Sequence, residues 1–184
     1  MKITFITGGA RSGKSSFALY KASQIEGKKA FVATAEALDD EMKERIENHK
    51  IERGSEWNTH EEPIKIAGVL SDIKDTCNAI VLDCLTIWLS NLLVRNEMAE
   101  PCKQTTGESI QEFIDTLRQL HNETLDPKSG KGLFIISNEV GMGIVPENKL
   151  ARRFRDLAGT LNQKVAEIAD EVYLVMAGIP VKIK

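Results

Sequence analysis

Cysteine is scarce: the 184 residues contain three, Cys77, Cys84 and Cys102, an odd number with no C-x-x-C spacing. That excludes a disulfide framework and a cysteine-based zinc site. Long apolar runs are missing as well. Asp83 interrupts the longest candidate, so no stretch reaches the roughly 18 residues that a membrane span needs. Nor is there an excess of positive charge, because the formal net charge is −3. The whole-protein reason to bind nucleic acid is therefore absent. The opening residues run straight into glycine and are too short for a signal-peptide core. Repeats and low-complexity tracts are also lacking. What remains is an average globular composition, 42% hydrophobic and 28% charged, which rules out wholesale disorder and collagen-like structure. The expectation is one compact domain, residues 1–184, soluble and cytoplasmic, without an integral membrane segment or a nucleic-acid partner.

Within that chain, short β-rich runs alternate with helical patterns. Residues 3–7, 30–33, 79–83, 133–137 and 171–176 are continuous apolar runs, the form taken by strands buried on both faces. Between them, apolar residues recur at three- and four-residue spacing, as at Leu150, Phe154, Leu157, Leu161, Val165 and Ile168. Residues 39–50 and 110–120 are shorter examples. The alternation predicts an α/β fold, a mostly parallel sheet with flanking helices. The tail differs: two β-like pieces flank Gly178-Ile179-Pro180, so a C-terminal antiparallel hairpin is expected. Residues 96–107 read as a surface excursion, and residues 126–132 as a turn before a strand. Trp88, Leu89, Leu92 and Leu93 read as core or subunit interface, and Cys84 as a small buried apolar residue.

Gly8-Gly9-Ala10-Arg11-Ser12-Gly13-Lys14-Ser15 matches G-x-x-x-x-G-K-[ST], the Walker A phosphate loop, preceded by a strand and followed by a helix over residues 16–25. Glycines let the backbone N–H groups converge on phosphate oxygens, and the helix N-terminus adds positive potential. Lys14 would reach the terminal phosphates, and Ser15 would hold Mg²⁺ through its hydroxyl. The partner carboxylate should end a buried strand. Asp83, closing Ile80-Val81-Leu82-Asp83, fits that role, although an acidic cap ahead of the next helix is an alternative.

After the second strand comes a charged stretch containing Asp39, Asp40, Glu41 and His49. Asp39 or Asp40 would cap a helix here. On residue chemistry alone His49 reads as a surface histidine, and Trp57, Thr59, His60, Glu61 and Glu62 as a loop able to hold a base or ribose. His60 and His121 have no ligand-like partners in the pattern, and no structural metal is expected. Asn138 and Glu139 end a strand on the ligand edge, where they could orient phosphate or a larger substrate.

The chain resembles the bifunctional adenosylcobinamide kinase / adenosylcobinamide-phosphate guanylyltransferase family. The residues that carry the resemblance begin with the phosphate loop and include Ala33-Thr34, Asp39-Asp40-Glu41-Met42 and His49. Leu82-Asp83-Cys84-Leu85-Thr86 and Ser90-Asn91-Leu92-Leu93 extend it. The most specific segment is Asn138-Glu139-Val140-Gly141-Met142-Gly143-Ile144-Val145-Pro146. The resemblance implies a RecA-like phosphate-loop fold, a homotrimer, and one site with two activities. ATP or GTP would phosphorylate adenosylcobinamide, and GTP would then transfer GMP to the resulting phosphate through a GMP–histidine intermediate. The matching nucleophile is His49, preceded by Asn48 where many relatives carry a second histidine. Lys14 and His49 are the catalytic candidates. Ala33, Thr34, Ala35, Lys50, Ile51, Glu52, Arg53 and Glu62 are placed around the nucleotide, with Asp83 and Ser15 at Mg²⁺. Glu62 suits the guanine N1/N2 edge, or is a solvated acid before Pro63. The rival readings are a monofunctional small-molecule kinase and a non-catalytic nucleotide switch or RecA-like module.

Overall fold

A computed structural model describes residues 1–37, 43–44, 54, 56–98, 105–123 and 130–184. Their strands are β1 (Lys2–Gly8), β2 (Lys29–Ala33), β3 (Trp57–Glu61), β4 (Ala79–Asp83), β5 (Gly132–Ile136), β6 (Glu171–Met176) and β7 (Ile179–Lys182). They form one sheet in the order β3-β2-β4-β5-β1-β6-β7. Strands β1 to β6 pair in parallel, and β7 runs antiparallel to β6, as the tail pattern predicts. The helices are α1 (Lys14–Ser23), α2 (Ile66–Ile73), α3 (Leu85–Met98), α4 (Thr106–Asn122) and α5 (Lys149–Ile168).

Successive strand residues face opposite sides of a sheet, and here both sides are apolar. Ile3, Phe5, Ile80, Leu82, Leu133 and Ile135 join α2, α3, α4 and α5 in the larger core. Ile6, Val81, Phe134 and Ile136 pack instead with Ala18 and Ala22 of α1. Layers on both faces explain why these runs lack polar alternation. Trp88 and Leu89 lie fully inside the larger core. Cys84 is buried as expected, and burial pushes its thiol up to about 12, so it stays protonated and serves packing. Among the described residues no helix is long and apolar enough to cross a membrane.

Two expectations need correction. Residues 57–61 are the edge strand β3 and not a loop, pairing with β2 in parallel. An edge strand needs only one buried anchor, and Trp57 supplies it by packing edge-on against Phe31 at 6.4 Å between ring centroids. The remaining polar residues concealed the pattern. The surface excursion over residues 96–107 is also shorter than expected. Helix α3 runs on to Met98, and α4 starts at Thr106 behind a capping box of Thr105 and Glu108. Of the helix expected over residues 39–50, only Lys43 and Glu44 are described, both helical.

Candidate functional site

The phosphate loop leaves β1 at Gly8, whose φ is 148°. A Cβ on that glycine would come within 2.3 Å of the Val175 carbonyl oxygen on β6, so no side chain fits. Gly13, with φ 97°, is the N-cap of α1 and makes no side-chain cap bond. The first-turn N–H groups of α1 therefore remain for an anion. The turn between β6 and β7 supports the loop from the side. Ala177 and Gly178 both have positive φ, matching a two-residue hairpin turn, and the Gly178 N–H donates to the Ser12 carbonyl at 2.9 Å.

Lys14 is only 6% exposed. Its Nζ donates to the Gly9 carbonyl at 2.5 Å and to Ser12 Oγ at 3.4 Å, so the cation is folded onto the loop it belongs to. Burial lowers its pKa, against the opposing pull of Cys84 and Asp83. Ser15 Oγ donates to Asp83 Oδ2 at 2.6 Å. The fold thus joins the two halves of the nucleotide motif, although they lie far apart in sequence. A hydroxyl and a carboxylate are hard oxygen donors, which fit Mg²⁺ with triphosphate oxygens and water completing its shell. Among the described residues no group of three or more His, Cys, Asp or Glu could hold a metal by itself.

The neighbouring strand ends are stitched together. Thr34, fully buried, donates through its N–H to the Asp83 carbonyl at 3.0 Å. Its Oγ1 donates to the Cys84 carbonyl at 2.9 Å and accepts from the Cys84 N–H at 2.8 Å. The Asp83–Cys84 peptide is cis. The Glu62 N–H donates to the Ala33 carbonyl at 2.9 Å. Asn91 Nδ2, from α3, donates to the carbonyls of Thr34 at 2.8 Å and Pro63 at 3.2 Å. Glu62 Oε1 accepts the N–H groups of Ile64 and Lys65, both at 2.8 Å, so one of its oxygens already serves the turn before α2.

Of the residues expected around the nucleotide, Gly8, Gly9, Ala10, Arg11, Ser12, Gly13, Lys14, Ser15, Ala33, Thr34, Ala35, Glu62 and Asp83 sit at the carboxyl ends of β1, β2, β3 and β4. His49, Lys50, Ile51, Glu52 and Arg53 lie outside the described residues. His60 faces Asn58, with 3.0 Å between Asn58 Nδ2 and His60 Nε2. The residues missed at this edge are Asn91, Thr86 and Asn162. Each is a polar residue on the inward, largely apolar face of its helix, which is the signal that could have found them.

Comparison with known proteins gives the same direction. The profile of the family described as cobinamide kinase / cobinamide phosphate guanyltransferase matches residues 4–183. The bifunctional adenosylcobalamin biosynthesis protein CobU of Salmonella typhimurium is 41% identical over 97% of this chain and 98% of its own. Its counterpart CobP of Pseudomonas aeruginosa is 36% identical over 97% and 95%. Among solved structures, the RadB recombinase superposes with a TM-score of 0.50 at 14% identity, over 94% of this chain and 73% of that one. An ATPase of a type III secretion system gives the same score and identity, over 94% of this chain and 51% of its own. At such identity these two show the fold alone, a RecA-like phosphate-loop sheet.

Proposed function

Because the chain belongs to the cobinamide kinase / cobinamide phosphate guanyltransferase family, we propose that its phosphate loop holds the triphosphate for both reactions. The protein is a bifunctional transferase of cobalamin biosynthesis, with cobinamide and nucleoside triphosphates as substrates. The observation that carries the placement is the Ser15–Asp83 contact beside buried Lys14. Backbone N–H groups of residues 8–15 and the start of α1 would cradle the phosphates, and Lys14 would leave the Gly9 carbonyl to meet them. Ser15 and Asp83 would hold Mg²⁺, which when bound offsets phosphate charge. Phosphoryl transfer to the substrate hydroxyl demands mostly such positioning, with ATP or GTP as donor.

Guanylyl transfer needs more. A His49 imidazole nitrogen attacks the α-phosphorus of GTP, an N–P bond forms, the bond to the α–β bridging oxygen breaks, and pyrophosphate leaves. A phosphate oxygen of adenosylcobinamide phosphate then attacks the same phosphorus and displaces the imidazole, giving adenosyl-GDP-cobinamide. The attack uses the lone pair of a neutral imidazole nitrogen. Ala33, Thr34, Ala35, Lys50, Ile51, Glu52, Arg53 and Glu62 would surround the base and ribose. A single sheet carrying every described strand supports residues 1–184 as one catalytic domain, and family likeness supports a cytoplasmic homotrimer.

The test is incubation with α-labelled GTP alone. Wild type should retain acid-labile, alkali-stable label and release pyrophosphate. His49→Ala should lose the label and GDP-cobinamide formation while still phosphorylating adenosylcobinamide. Labelling that persists in His49→Ala removes His49 as nucleophile, and loss of both activities in a folded variant removes the division of labour.

A further inference from the structure

Strand β5 lies between β4, which ends at Asp83, and β1, which ends in the phosphate loop. Asn138 follows β5 on that same edge. Its N–H donates to Thr86 Oγ1 of α3 at 2.7 Å, and its carbonyl accepts from Asn162 Nδ2 of α5 at 3.2 Å. Thr86 Oγ1 lies 3.3 Å from Ser137 Oγ, and the next N–H, of Glu139, donates to the Gly8 carbonyl at 3.0 Å. Thr86, Ser137 and Asn162 are all buried. Two helices and the phosphate loop therefore clamp one short piece of backbone. The half-buried side chain of Asn138 makes no hydrogen bond among the described residues.

A backbone held from three sides around an amide that is left unspent suits a group kept in place for a ligand. The geometry points to Asn138 as a donor to the terminal phosphate of the bound triphosphate, with Thr86 and Asn162 as positioning residues that act through it. The inference rests on the nucleotide lying on the phosphate loop, as proposed above. In the kinase step the substrate hydroxyl oxygen bonds to the γ-phosphorus and the bond to the β–γ bridging oxygen breaks. The nucleoside diphosphate leaves with that electron pair, and the hydroxyl proton passes to water. Negative charge is spread over the transferring group and the bridging oxygen. A neutral donor carried on a backbone already held in place stabilises that charge with little reorganisation.

Asn162 supplies a way to separate position from stability. Its Oδ1 is buried with no partner among the described residues. Asn162→Leu leaves the Asn138 carbonyl without its donor but also removes an unpaired buried acceptor, so its two effects on folding oppose each other. A fall in rate at an unchanged melting temperature then reports the position of Asn138 alone.

The experiment measures kcat, nucleotide KM and melting temperature for adenosylcobinamide phosphorylation, with Lys14→Ala as reference. Asn138→Ala should lower kcat about 100-fold and leave nucleotide KM within about threefold. Asn138→Asp places a carboxylate where the donor stood and should be slower still; being isosteric, it carries the same test if the alanine variant does not fold. Asn162→Leu should cost about tenfold in kcat with little change in melting temperature, and Thr86→Ser should restore what Thr86→Val loses. Normal kcat in Asn138→Ala, or a rise in KM alone, overturns the inference. If Lys14→Ala is also fully active, the nucleotide is not on the phosphate loop, and the earlier placement fails first. Should Lys14→Ala be inactive and Asn138→Ala normal, this inference alone fails.

Discussion

The phosphate loop and the strand ends beside it reach the same edge of the sheet by opposite means. The loop is shaped by its own backbone: Gly8 and Gly13 take φ values of 148° and 97°, and β6 leaves no room for a side chain on Gly8. The ends of β2 and β5 are shaped by side chains from elsewhere. Asn91 holds the carbonyls of Thr34 and Pro63, while Thr86 and Asn162 hold Asn138. These partners stand between 24 and 57 residues apart in sequence. Backbone sterics fail abruptly when a Cβ is added. Hydrogen bonds from side chains fail by degrees, one residue at a time.

That contrast is easiest to break at Gly8. Gly8→Ala should lose about 2–4 kcal/mol of stability, because the new Cβ meets a backbone oxygen and the φ is hostile to L-residues. Triphosphate binding should go with it. Urea unfolding with nucleotide titration measures both, and a wild-type midpoint would show that β6 simply yields.

Next in size, Asn91→Leu leaves two carbonyls without their donor and should cost about 1–3 kcal/mol. Since the bonds hold the ends of β2 and β3, KM for GTP should rise more than kcat falls. An unchanged KM for GTP would detach the β2 edge from nucleotide binding.

Asp83→Asn probes a side-chain contact in which the two regions meet. The Ser15 hydroxyl keeps an acceptor, but the charge is gone, so the Mg²⁺ requirement should rise about tenfold while nucleotide affinity changes less. An unaltered magnesium titration would return Asp83 to a structural role.

The smallest effect belongs to Glu171, at the opposite end of the strands. Its carboxylate meets Lys21 at 2.8 Å and both Lys2 and Lys182 at 3.1 Å. Burial alone would raise its pKa, but hydrogen bonds from the three lysines outweigh that and hold it well below the usual carboxylate range. A depressed folded pKa contributes stability above the unfolded value, about 4.3, and that stability is lost as pH falls through the folded one. Glu171→Gln should therefore cost about 1 kcal/mol near neutral pH. The gap from wild type should close below about pH 4, with activity unaffected throughout. A gap that persists in acid would assign the loss to packing.

Several features were legible from local pattern. The runs of residues 3–7 and 79–83 announced buried strands, and Gly178-Ile179-Pro180 announced the hairpin. Strand β3 escaped because a polar edge strand with one buried tryptophan looks like a loop until its partner is known. The start of α4 escaped because Thr105 and Glu108 cap a helix whose apolar stripe begins later, at Ile110. At the site, the phosphate loop was readable as a motif. Asn91, Thr86 and Asn162 stood in the recognisable segments but carried no visible role.

Chain order alone is enough for the parts whose physics is local: glycines that turn the loop, a lysine and a serine at fixed spacing within it, and apolar runs that must be buried on both faces. Which distant groups meet depends on how the layers pack. That packing set Asp83 against Ser15 and ran β5 between β4 and β1. It also aimed amides from two helices at carbonyls that no strand pairs. A hydrogen bond between residues far apart in the chain depends on every packed layer between them, so no short window of sequence can specify it.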